Sequence, residues 1–75
     1  MKTLEEIIAG VLTIDVKSVN DQTSPENTPG WDSFNSILLV SEVEKNFNVK
    51  FELDEVVGLK NVGDFRALLK KRGAF

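Results

Sequence analysis

The chain has no cysteine, no histidine and no tyrosine. Without cysteine there is no disulfide, no zinc–thiolate site and no thiol of its own. Without histidine the usual general base near neutral pH is missing, and so is the commonest metal ligand. A catalytic centre would have to be assembled from carboxylates, lysines and hydroxyls. Seventy-five residues also leave little room for a pocket of roughly 300 Å³ or more to house them. Neither an enzyme nor a metal centre is expected. No apolar run approaches the roughly 20 residues that span a bilayer. Glu5 and Glu6 interrupt any signal-peptide core after Met1. A cytoplasmic protein with no membrane span is expected, as a monomer. Repeats and low-complexity tracts are also missing.

Cationic charge is scarce where nucleic acid would need it. The net charge is −3, and phosphates want a basic face. The middle of the chain, residues 32–56, carries a net −4, and residues 59–75 carry a net +4. The basic tail matches cations at a helix C-terminus. A helix-turn-helix DNA reader would need a basic second or third helix, which is not there. No nucleic-acid partner is expected.

What is present reads as one domain, residues 1–75, with a thin core: a chain this short buries only roughly 60% of its extended surface. Thr3-Leu4-Glu5-Glu6 has the capping-box form. Leu4, Ile7, Ile8, Val11 and Leu12 follow at helical spacing. The first helix should fade near Leu12 or Thr13. Residues 14–31 are rich in turn formers, an unusual length of loop for a small domain. Ile14, Val16 and Val19 can pin it to the core, and Asp15 to Val19 can make a short helical turn. Trp31 should cover the base of the next helix.

That helix is expected from about Ser33 to Asn46, with Ile37, Val40, Val43 and Phe47 as an inward row joined by Leu39. Val49-Lys50-Phe51-Glu52-Leu53 alternates, but no second strand exists to pair with it. An extended connector is expected, with Val49, Phe51 and Leu53 turned inward. Asp54 can cap a short helix that Gly58 closes. Asn61-Val62-Gly63-Asp64 resembles a capping box opening a last helix, whose stripe is Val62, Phe65, Leu68 and Leu69 and which Gly73 ends. The expected core adds Val56 and Leu59. The fold class is all-α: three main helices, one short helix, and a long loop between the first two.

The segment around which all this is arranged is Gly30-Trp31-Asp32-Ser33-Phe34, where the loop becomes the second helix. By physics alone, either Asp32 or Ser33 is an N-cap. The alternative is that the Ser33 hydroxyl is presented to solvent for covalent modification.

This arrangement resembles the acyl carrier proteins over essentially the whole chain. Asp32-Ser33-Phe34 is similar to the family's Asp-Ser-Leu at the start of its second helix, with Gly30 ahead of it. The Ile37, Val40, Val43, Glu44, Phe47 register, the Val49-Lys50-Phe51 connector, the short acidic helix and the Asn61 to Asp64 opening follow in the family's order. The resemblance implies that a phosphopantetheinyl transferase attaches 4′-phosphopantetheine, from coenzyme A, to Ser33. The arm's thiol would then carry acyl or aminoacyl groups as thioesters between loading and transferring enzymes. Asp32 inherits a contact with the transferase's metal ion during attachment. The partner-facing surface would be Phe34, Asn35, Leu38, Ser41, Glu42, Glu44 and Lys45. Ile37, Val40, Val56 and Leu59 could line a shelter for an acyl chain. Phe34 stands for the commonest leucine, as it does in D-alanyl carriers of cell-wall modification. Asn35 and Leu38 stand where fatty-acid-synthesis carriers commonly place acids. These departures point to a specialised carrier for polyketide-like, aminoacyl or cell-surface biosynthesis more than to housekeeping fatty-acid biosynthesis. The competing reading, from a different class, is an unmodified helical interaction module.

Overall fold

The computed structural model describes residues 3–74. Four helices follow in order: α1 (Leu4–Leu12), α2 (Ser33–Phe47), α3 (Leu53–Val57) and α4 (Val62–Lys71), with a single 3₁₀ turn, Val16–Ser18, in the first loop. Among the described residues there is no strand, so residues 49–52 are a connector and α3 takes over at Leu53.

α1 starts as its capping box requires. Thr3 Oγ1 accepts from the Glu6 N–H at 3.2 Å, and Glu6 Oε1 accepts from the Thr3 N–H at 2.8 Å. Its stripe of Leu4, Ile7, Ile8 and Leu12 is buried, with Ala9 beside it. Val62, Phe65 and Leu69 of α4 complete that side of the core, and Leu39 and Val43 enter from α2. Val11, Val40, Phe47, Val56, Leu59 and Leu68 are half-buried against it. α2 ends on Asn48 in the left-handed region, φ 55°, a conformation that asparagine tolerates.

Two inward assignments and one helix cap need correction. Ile37 does not lie in the inward row of α2: it is 68% exposed. Apolar residues occupy positions 34, 37, 38, 39, 40, 43 and 47, so nearly every direction around the helix is apolar and periodicity cannot select one. The buried row is Leu39 and Val43, one turn apart. Leu53 is also outside, 78% exposed, because α3 begins at Leu53 and the strand-like alternation stops there. The cap of α3 is Glu52, not Asp54, and its N–H donates to Glu55 Oε1 at 2.8 Å.

The long loop is held by its own polar groups. Thr23, buried at 5% exposure, accepts at Oγ1 from the Asn20 N–H and donates to the Ser18 carbonyl. Asn27 accepts at Oδ1 from the Ser24 N–H and donates from Nδ2 to the Gln22 carbonyl. The start of α4 then clamps the loop. The Val62 and Gly63 N–H groups donate to the Thr23 and Asp21 carbonyls at 3.0 and 2.9 Å. These are donors that a helix N-terminus leaves without an intrahelical partner. Arg66 adds a fork to Asp21 and Glu5, and both carboxylates raise its pKa.

Candidate functional site

Gly30 turns the chain into α2 with φ +91°, a conformation that side chains with a Cβ rarely adopt. Trp31 then folds inward and is 6% exposed. Its indole Nε1–H donates to Ser36 Oγ at 2.8 Å, which joins the loop's last residues to the first turn of the helix. Trp31 belongs to the core as well as covering the helix base.

Asp32 takes the capping position. Its Oδ1 accepts from the Asn35 N–H at 2.8 Å, and its carbonyl accepts from the Ser36 N–H at 2.9 Å. With Asp32 as the cap, Ser33 is released from that task. Ser33 is the first helical residue and is exposed. Its hydroxyl makes no hydrogen bond among the described residues. An anion attached there would face free N–H groups and the positive end of the helix dipole, worth ~0.3–1 kcal/mol at an exposed site. That is enough to favour one orientation of a phosphodiester and too little to drive its formation.

The residues expected at the partner surface divide. Phe34, Leu38, Ser41 and Lys45 are exposed, and their 3- and 4-residue spacing puts them on one face. Ile37, which sequence reading turned inward, joins that face. Glu42 and Glu44 are half-buried, and the Glu44 carboxylate is engaged by the Phe51 N–H at 2.7 Å. Asn35 is half-buried, with its side-chain amide donating to the Gly30 carbonyl. The outward face of α2 thus begins at Ser33, is apolar for two turns and ends in a cation. Leu53 and Val57 add exposed apolar surface on α3.

Of the four residues considered for an acyl shelter, Ile37 is on the outside and Val40, Val56 and Leu59 are half-buried. Leu59 lines a hollow of about 320 Å³ between α3 and α4, but Asp54, Asp64 and Lys71 line it too. Among the described residues no group of acids is placed to hold a metal ion.

The family model described as "Phosphopantetheine attachment site" matches residues 2–69. The chain belongs to this family of phosphopantetheine carriers. Such carriers supply a tethering point and catalyse nothing themselves. Their modification requires a phosphopantetheinyl transferase, and their cargo requires partner enzymes. Among solved structures, the chain is similar to a proposed acyl carrier protein from Mycobacterium tuberculosis. The TM-score is 0.80 at 22% identity, over 93% of this chain and 99% of that one. At that identity the likeness speaks for the fold: the carrier has the all-helical acyl carrier architecture. No helix of the described residues is long and apolar enough to cross a membrane.

Proposed function

We propose that Ser33 is the attachment serine of this carrier. The observation that carries the reading is the division of labour at the start of α2. Asp32 caps the helix, and the next residue presents an exposed, uncommitted hydroxyl. In the modification, Ser33 Oγ attacks the pantetheine-bearing phosphorus of coenzyme A. The pyrophosphate P–O bond breaks, adenosine 3′,5′-bisphosphate leaves, and the serine proton passes to a base on the transferase. Asp32 keeps Oδ2 open toward the transferase's metal ion while Oδ1 caps the helix. The imported thiol supplies what a chain without cysteine lacks. The covalent arm then raises the effective concentration of cargo at a docked enzyme.

The outward face of α2 is the docking surface of this proposal, with Phe34, Ile37 and Leu38 as its apolar centre and Ser41 and Lys45 at its far end. Clustered exposed apolar residues are a usual mark of contact sites. The acids of α2 contribute less, since Glu44 already serves the backbone of Phe51. A docking face of this kind suits a specialised carrier of acyl or aminoacyl groups, working as a cytoplasmic monomer, better than a housekeeping fatty-acid one.

Intact mass tests the reading. Apo-protein incubated with coenzyme A and a broad-specificity phosphopantetheinyl transferase gains one phosphopantetheine, and Ser33→Ala gains none. No gain by the folded wild type with several transferases would overturn it, in favour of an unmodified interaction module.

A further inference from the structure

We propose that Asn35 is a positioning residue for modification at Ser33, an inference that rests on the reading of Ser33 above. Asn35 makes two hydrogen bonds that reach back across the serine. Its backbone N–H holds Asp32 Oδ1, and its side-chain Nδ2–H₂ holds the Gly30 carbonyl. The second bond closes a loop over Trp31, Asp32, Ser33 and Phe34. Trp31 closes the other side through its indole bond to Ser36. Ser33 therefore sits at the apex of a short segment fastened at both flanks.

Two consequences bear on the chemistry. The clasp sets the direction of Ser33 Oγ relative to the helix axis. It also holds the Asp32 carboxylate with one oxygen on the helix start and the other open. A nucleophile held in one geometry gains rate chiefly in the chemical step, because less motion must be frozen to reach the transition state. The residue type matters too. The Gly30 carbonyl only accepts, so the clasp needs a donor at position 35. An aspartate there would put a carboxylate against a carbonyl oxygen and close to Asp32. On this account Asn35 acts through the backbone of the serine loop and is not a contact for the transferase.

The experiment measures initial rates of transfer from coenzyme A against carrier concentration, for wild type, Asn35→Asp, Asn35→Ala and Ser36→Ala. Both Asn35 variants should lower kcat about tenfold, the size expected for one lost positioned hydrogen bond, with KM within about twofold. Ser36→Ala should show a smaller fall of the same kind. Trp31 is the only tryptophan, so acrylamide quenching of its fluorescence reads the clasp without any transferase. Quenching should rise in Asn35→Ala at temperatures well below its thermal midpoint, where the variant is still folded. An unchanged kcat in a folded Asn35→Ala overturns the proposal. A loss confined to KM also overturns it, and makes Asn35 a docking contact. If wild type itself is not modified, the reading of Ser33 fails, while the quenching comparison still tests the clasp.

Discussion

α1 and α4 dispose of their apolar side chains differently from α2 and α3. Leu4, Ile7, Ile8, Leu12, Val62, Phe65 and Leu69 are all at or below 7% exposure. Apart from Val16 in the 3₁₀ turn, the large apolar residues left exposed among the described residues are Phe34, Ile37, Leu38, Leu53 and Val57, every one of them on α2 or α3. Fully burying such a side chain is worth ~1.5–3 kcal/mol, and a thin-cored domain has few to leave in water. α1 and α4 also carry the fastening of the loop, through Glu5, Gly63 and Arg66. One half of the molecule is thus a scaffold. The other half holds Ser33 and spends apolar residues on its surface. Apolar residues that the fold does not bury are a usual mark of a contact surface, and on α2 they follow directly on Ser33, the attachment residue proposed above.

The largest effect that would sharpen this contrast is a pair of truncations measured by urea unfolding. Phe65→Ala in α4 should lose ~3–5 kcal/mol, as a buried aromatic does. Ile37→Ser in α2 should change stability by no more than about 0.5 kcal/mol while raising KM for the transferase. Comparable losses at both positions would erase the distinction between the two halves.

A pair of glycines gives a smaller effect. A Cβ at Gly63 would stand 3.1 Å from the Asp21 carbonyl oxygen, whereas a Cβ at Gly10 meets nothing within 4 Å. Gly63→Ala should therefore cost about 1 kcal/mol by pushing the loop off α4. Gly10→Ala should gain about 0.5–1 kcal/mol from helix propensity and reduced unfolded-state entropy. Thermal midpoints moving in the same direction would contradict the clamp between loop and α4.

The smallest effect concerns pH. Glu55 accepts the Glu52 N–H and pairs with Arg72, and these hold its pKa below the ordinary 4.5. A depressed carboxylate stabilises the fold above its unfolded pKa. That contribution is lost as pH falls through the folded value, below 4.5. A stability–pH profile of wild type should fall there, and Glu55→Gln should flatten the fall slightly.

Local chemistry was the legible part of the sequence. The Thr3–Glu6 box, the short helical turn after Asp15 and the Asn61 cap all stand where short-range rules put them. The inner face of α2 was not legible, because seven apolar positions surround that helix and only tertiary contacts choose Leu39 and Val43. Leu53 was misread for a related reason. Alternation across 49–53 predicts one side, and a helix that starts on the fifth residue changes it. At the site, residue type and position narrow the N-cap to Asp32 or Ser33, and the structure gives that task to Asp32. The bonds from Asn35 to Gly30 and from Trp31 to Ser36 span five residues each, and no periodicity signals them. The loop's order depends on carbonyls meeting the start of α4, some forty residues on.

The central claim concerns one hydroxyl among five serines. Tandem mass spectrometry of the modified chain, digested and mapped, tests it most directly. Phosphopantetheine on Ser33 is the predicted result. Phosphopantetheine on Ser36, whose oxygen accepts the Trp31 indole, or on Ser41, midway along α2, would contradict it.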